Sequence, residues 1–330
     1  MRRNRGFTLI ELLIVTVLTG LIAIYMLESV ITTNRTYAVV DQVAESQMGM
    51  RAVADLLERN LRHAGMMVPR AAAVCAVDNT AGPDVLYLSD AEAIDPGDDL
   101  LPYDGARAPS TKLNVTTPND TITVSSLVLE PAAPNRPAYD SDGDGTNDSD
   151  FEVGSGAIVI DLNDPSRGAA CGRVTALNPA TPSVSIAFAT ADLGAGGGSE
   201  QLVVIPAHEY RIANGDELRR NGRLLTQGVE DMQVSFFFDA NDNAVVDYAA
   251  GEIQGDGGPG GNYVAKDTDI SELRQVRANL VMRTRMEDRE FTGQPQVMEN
   301  RAGGAPADGF RRRVYTTTVR LRNMVDRAGS

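Results

Sequence analysis

Residues 7–27 read Phe7-Thr8-Leu9-Ile10-Glu11-Leu12-Leu13-Ile14-Val15-Thr16-Val17-Leu18-Thr19-Gly20-Leu21-Ile22-Ala23-Ile24-Tyr25-Met26-Leu27. These 21 residues hold one ionisable side chain, Glu11. About 20 apolar residues cross a bilayer core as a helix, so the stretch is long enough to span. Arg2, Arg3 and Arg5 precede it, and the first basic residue after it is Arg35. That asymmetry predicts a cytoplasmic N-terminus, with the rest of the chain on the other side of the membrane. A secretory signal has a shorter apolar core followed by a small-x-small cleavage site. Here the run is longer and no such site follows it.

Nothing forces this helix to stop at the membrane. No proline occurs before Pro69, and Gly20 and Gly49 are the only glycines between Phe7 and Gly65. Beyond Leu27 an apolar stripe continues through Val39, Val43, Ser46, Met50, Val53, Leu57 and Leu61, in steps of three and four that keep to one helical face. Arg51, Asp55, Glu58, Arg59 and Arg62 fall largely between, and Gly65 follows Arg62-His63 as a stop. The spacing predicts a rod of about 55 residues, roughly 80 Å long. Half of it lies in lipid, and the other half must lay its stripe on something.

From Pro69 the pattern changes to short β-like runs separated by turn chemistry. Expected strands are 85–89, 121–130, 157–162, 172–177, 183–189, 202–205, 208–212, 217–220, 232–238, 276–285 and 312–322. Tyr315, Thr317, Val319 and Leu321 alternate as in a half-exposed antiparallel sheet. Asn214-Gly215 and Asn221-Gly222 are hairpin-turn dipeptides. The Gly-rich stretches 194–199, 251–262 and 302–309 are expected to be surface loops. The fold class is α+β: a long N-terminal transmembrane and amphipathic helix packed on antiparallel β-sheet, with loop-rich insertions. The expected divisions are a basic segment at 1–6, a spanning half-helix at 7–27 and an amphipathic half at 28–65. A variable β-rich region at 66–200 and a C-terminal sheet region at 201–330 follow.

The formal charge is −15, and loss of Arg2, Arg3 and Arg5 would leave side chains summing to −18 (−15 − 3). So acidic a chain argues against nucleic acid and anionic membrane surfaces as partners and suits divalent cations. Cys75 and Cys171 are the only cysteines. Outside the cytoplasm they have one intramolecular connectivity; the alternative is two buried free thiols. A bridge would close a loop worth up to about 4.7 kcal/mol.

The sequence Arg2-x-x-Arg5-Gly6-Phe7-Thr8-Leu9-Ile10-Glu11 resembles the type IV prepilin signature. The resemblance implies cleavage between Gly6 and Phe7 by a prepilin peptidase, methylation of the new Phe7 amine, and retention of the helix. An acid inside a span costs about 2.5–3.5 kcal/mol on insertion scales and is normally paired. Cleavage would supply Glu11 with the Phe7 amine of its own chain or a neighbour's, and in the family this glutamate acts in assembly. His208-Glu-Tyr-Arg-Ile, Glu217-Leu-Arg-Arg, Leu225-Thr-Gln-Gly-Val-Glu-Asp-Met-Gln-Val, Val276-Arg-Ala-Asn-Leu-Val-Met-Arg-Thr-Arg and Tyr315-Thr-Thr-Thr-Val-Arg-Leu-Arg-Asn resemble PilW-type minor pilins. That similarity covers residues 1–66 and about 205–323. It departs from major pilins in having no proline near the end of the span. It implies an inner-membrane protein with a periplasmic C-terminal domain, later drawn into an extracellular pilus. Implied partners are major and minor pilins through the helix, the peptidase and the inner-membrane assembly platform. The implied task is initiation of assembly or a place in the filament-tip complex. Minor pseudopilins of the J type from type II secretion share the same plan. A membrane-tethered binding module is the reading from a different class.

Two Asp-rich loops have calcium-loop spacing. The first offers Asp140, Asp142, Asp144, the Thr146 carbonyl and Asp148, with Gly145 at the sixth position; Phe151 stands at the twelfth, and Glu152 one place late. The second offers Asp239, Asn241, Asn243, Val245 and Asp247, with Ala244 where glycine is expected. The alternative for each is a solvated turn. Gly255-x-Gly257-x-x-Gly260 carries Asp256 and Pro259 and is read as a loop, not a phosphate cradle. No metalloprotease, Walker or nucleophile-elbow motif occurs, and no catalytic residue is expected. His63 suits a helix C-terminus, and His208 is expected to be structural or solvated.

Overall fold

The computed structural model describes residues 8–79, 81–93, 106–107, 121–124, 151–178, 183–188, 202–239, 246, 253–254, 272–294, 298–299, 301 and 307–324. Helix α1 (Leu9–His63) is one unbroken helix of 55 residues. Its stripe docks as the spacing predicts: Val39, Val43 and Ser46 are half-buried, and Met50, Val53, Leu57 and Leu61 are buried. The helix ends where Ala64 N–H turns back to the Asn60 and Leu61 carbonyls. Gly65 then adopts φ +79, a left-handed conformation that costs glycine little.

Fourteen strands follow among the described residues: β1 (Val74–Val77), β2 (Val85–Leu88), β3 (Ala106–Arg107), β4 (Thr121–Val124), β5 (Gly156–Asp161), β6 (Ala169–Asn178), β7 (Ser183–Phe188), β8 (Leu202–Ala213), β9 (Glu217–Arg220), β10 (Arg223–Gln227), β11 (Val229–Phe238), β12 (Ile253–Gln254), β13 (Leu273–Arg283) and β14 (Arg312–Arg320). They form two antiparallel sheets. The first runs β1-β2-β8-β5-β6-β7-β4, with β3 and the β9–β10 hairpin attached to β8. The second runs β12-β11-β13-β14. The buried face of α1 lies mainly on β13 and β14. Strand β8 pairs with β2 and β5, so chain from both sides of position 200 shares the first sheet.

The first sheet is strongly coiled. In a flat sheet β1 and β6, four strand spacings apart, would stand about 19 Å from each other. Yet Cys75 on β1 and Cys171 on β6 are joined by a disulfide with their Cα atoms 6.2 Å apart. The curl lets both faces of the central strands bury. Ile158 and Ile160 face the core shared with α1 and the second sheet, and Ala157 and Val159 face a second cluster with Phe151, Ile186 and Phe188. Burial on both faces explains why β5 reads as a continuous apolar run.

Two expectations need correction. The runs 202–205 and 208–212 are one strand, β8, continuing through Pro206. The Pro206 carbonyl accepts a bond from Ser89 Oγ at 2.7 Å, so its missing N–H also points to that side, between the short partners β3 and β2. Within 251–262, expected to be a loop, Ile253 and Gln254 pair with β11. The segment between β1 and β2 laces the sheets together. Asp84 N–H donates to the Met232 carbonyl at 2.8 Å, Val234 N–H donates to Asp84 Oδ2 at 2.8 Å, and Gln233 Nε2 donates to the Gly82 carbonyl at 2.9 Å. Burial pushes the Asp84 carboxyl up to about 7, against the N–H bonds it accepts from Asn79 and Val234.

Candidate functional site

The sequence-predicted site begins at the helix start. Gly6 and Phe7 lie outside the described residues. Thr8, in extended conformation, is the N-cap of α1 and forms a reciprocal box with Glu11. Thr8 N–H donates to Glu11 Oε2 at 3.0 Å, Thr8 Oγ1 donates to the same oxygen at 2.9 Å, and Glu11 N–H donates to Thr8 Oγ1 at 3.4 Å. The carboxylate is therefore held back toward the positive end of the helix, one residue from Phe7. Thr-x-x-Glu is a capping-box signature, and it was the signal by which the sequence could have revealed this.

Every residue from Leu9 to Leu27 is exposed. The most apolar 18-residue window of α1 has a mean hydropathy of 2.4, with none of it buried. The threonine hydroxyls in the stretch are satisfied within the helix: Thr16 donates to the Leu13 carbonyl at 2.9 Å and Thr19 to the Val15 carbonyl at 2.7 Å. Such internal bonds remove most of the cost of taking a hydroxyl into an apolar medium. The half of the helix from Leu9 to Leu27 is an apolar surface without a partner among the described residues.

The lower half anchors that surface to the globular part. Leu57 and Leu61 are almost fully buried. Between them Asn60, also buried, donates through Nδ2 to the Tyr210 hydroxyl on β8. Asn323 Nδ2 donates to the His63 and Ala64 carbonyls at 3.3 and 3.2 Å, capping the helix from the end of the chain. Asn60 lies beside the apolar stripe, and no sequence signal revealed its partner. Asn60→Ala should lower stability by about 2 kcal/mol, because Tyr210 loses a buried partner. A double-mutant cycle with Tyr210→Phe, read by denaturant melts, should give a coupling near 1 kcal/mol.

His208, expected to be structural or solvated, is structural. It is buried, with Arg220 Nη2 2.7 Å from Nε2 and Asn221 Nδ2 3.1 Å from Nδ1. Burial first, then the Arg220 charge, pushes its pKa down to about 4. Asp90 Oδ1 lies 3.8 Å from Nε2, and burial pushes that carboxyl up. A folded-state pKa below the ordinary 6.5 favours the neutral ring. That stability is fully present above pH 6.5 and is lost as pH falls toward 4. The advantage of the wild type over His208→Gln should therefore shrink by on the order of 3 kcal/mol across that window. Comparison with the variant cancels the opposite contribution of Asp84, which is lost as pH rises through about 7. Paired melts at several pH values provide the measurement.

Cys75 and Cys171 form the disulfide, resolving the alternative of free thiols. Of the calcium-loop residues, Asp140, Asp142, Asp144, Thr146, Asp148, Asn241, Asn243, Val245 and Asp247 lie outside the described residues. Asp239 is buried at the end of β11, with Oδ2 3.5 Å from Arg274 Nε, and its N–H donates to the Glu272 carbonyl at 3.0 Å. Among the described residues no three His, Cys, Asp or Glu side chains converge as a metal site.

Residues 1–27 match the prokaryotic N-terminal methylation motif. Residues 197–323 match the family described as Type IV Pilus-assembly protein W. No curated protein matches the chain. Among solved structures it is similar to a type IV-like pilin from Thermus thermophilus, 12% identical, over 53% of this chain and 88% of that one, with a TM-score of 0.24. The methylation motif over residues 1–27 and the PilW match over residues 197–323, beside the long apolar helix on antiparallel sheet, support a PilW-type pilin with a prepilin motif.

Proposed function

We propose that this chain is a minor type IV pilin, cut between Gly6 and Phe7 by prepilin peptidase and used to initiate a pilus or occupy its tip. It is held first in the inner membrane with its sheets in the periplasm, and then passes into the extracellular filament. The observation that supports this is the division of one helix into two halves: a wholly exposed apolar half and a docked half fixed to the sheets. Without a partner the exposed half is stable only in lipid or against the helices of like subunits, and exchange between those environments is what filament assembly requires. The partners are then other pilins along the helix and the assembly platform beneath them. Mass spectrometry of sheared filaments tests the reading. It should find a chain beginning at methylated Phe7, present at far fewer copies than the main subunit. A chain that keeps residues 1–6, or that is missing from filaments, would refute it.

Calcium belongs to the same proposal as a loop-ordering ion. Asp140, Asp142, Asp144, Thr146 and Asp148 carry the spacing, and Asp239 to Asp247 repeat it in part. Titration of the full-length protein in detergent should release or absorb heat and raise the melting temperature in millimolar calcium. No heat and no shift would remove calcium from the account.

A further inference from the structure

Among the described residues the outer edge of β14 is an open row of backbone hydrogen-bonding groups, and we propose that it receives an acidic, extended segment of a partner subunit as a fifth strand of the second sheet. The ladder fixes which groups are free. Thr284 N–H donates to the Arg311 carbonyl and Leu321 N–H to the Arg274 carbonyl, and the β13–β14 register between them is unbroken from Arg283↔Arg312 to Gln275↔Arg320. Odd-numbered residues of β14 therefore turn their N–H and C=O toward β13. Arg312, Val314, Thr316, Thr318 and Arg320 turn theirs outward. Among the described residues no strand pairs with them. This edge spans about 27 Å and has no proline and no bulge, devices that usually blunt such an edge.

The charge on the edge identifies the occupant. The chain as a whole is at −15, yet Arg313 and Arg320 are exposed near the two ends of this strand, with no ion-pair partner among the described residues. Their neighbours differ in this respect: Arg311 is paired with Asp288, and Arg312 with Glu230 and Asp308. Arg313 and Arg320 are seven positions apart, an odd number, so they stand on opposite faces of the sheet. An added strand meets both when it carries two carboxylates about seven positions apart, which likewise fall on opposite faces. A second copy of this edge fits badly. The symmetric antiparallel register centred on Thr316 sets Arg312 against Arg320, and like charges directly opposite each other destabilise a pair.

The test uses full-length protein in detergent micelles and a fluorescein-labelled peptide, Thr-Glu-Thr-Val-Thr-Val-Thr-Val-Glu-Thr, with a counterpart carrying lysine for glutamate. Anisotropy should show saturable binding of the acidic peptide, roughly tenfold tighter than the lysine peptide. Reversing both charges, Arg313→Glu with Arg320→Glu, should invert the preference. Thr316→Pro removes an outward N–H and no ladder bond, so it should weaken binding at least severalfold; Thr316→Val, which loses only the Thr316 Oγ1 bond to Asn279 Oδ1 at 2.7 Å that proline also removes, should bind as the wild type does. Hydrogen exchange should slow on binding at residues 312, 314, 316, 318 and 320 and stay unchanged at the odd positions. Absence of saturable binding, indifference to charge sign, or indifference to Thr316→Pro would each overturn the proposal. So would self-association of the chain that Thr316→Pro abolishes, which would assign the edge to a second copy.

Discussion

Replacing Cys75 and Cys171 together by alanine is expected to cost the globular region about 4–5 kcal/mol, a large share of the 5–15 kcal/mol that holds a typical domain folded. The bond closes a loop with a sequence separation of 96, near the upper end of what chain entropy offers. It also joins β1 to β6, strands that are not hydrogen-bonded neighbours, so it fixes the coil of the sheet where no ladder does. Both residues are fully buried in the core that α1 completes. Loss of the bond should therefore loosen the seat of the helix as well as the sheet. The chain has 9 Tyr and no Trp, so denaturant melts of the full-length protein in detergent can be followed by tyrosine fluorescence. A loss below about 1 kcal/mol would mean that apolar packing alone sets the curl.

Helix α1 was legible because its signal is long and one-dimensional: an apolar run from Phe7 to Leu27, then a stripe kept to one face from Val39 to Leu61, then glycine. The hairpins were legible for a different reason. Asn214, Gly215, Asn221 and Gly222 all have positive φ, the conformation their dipeptides encode. Strand β1 was not. Its neighbourhood, Ala71-Ala72-Ala73-Val74-Cys75-Ala76-Val77, is buried almost throughout, so no alternation marks it. Strand β10 is exposed along most of its length and, among the described residues, pairs with β9 alone, so it lacked an apolar signal. Contacts made at long range were the least readable. Asn60 with Tyr210, and Asp84 with β11, join residues about 150 positions apart, and one sequence holds no record of such pairs. For the candidate site, Glu11 was visible as a lone acid in an apolar run. That it folds back onto Thr8 follows from a capping pattern the apolar run obscured.

That fold-back sets up the most discriminating experiment on assembly. Two roles are available to Glu11: capping its own helix through Thr8, or neutralising the amine that cleavage would create at Phe7. Glutamine is also a capping-box residue, so Glu11→Gln keeps the first role and abolishes the second. Loss of the cap alone costs about 1 kcal/mol, in a helix whose other end is anchored by Leu57, Asn60 and Leu61. An unpaired charge carried into an apolar helix bundle costs several kcal/mol. Glu11→Gln and Glu11→Val are therefore expected to reduce incorporation into filaments alike, by roughly tenfold or more, while membrane levels of the protein stay normal. Quantifying the chain in sheared filaments against its amount in membranes reads out the difference. Capping is sufficient if glutamine supports wild-type incorporation while valine does not. Incorporation of both variants at wild-type levels would show that the carboxylate has no part in assembly. Parallel failure of both, with the helix intact by circular dichroism, identifies the charge as the active property, and the Thr8 bonds as the device that holds it at the helix start before a neighbouring subunit arrives.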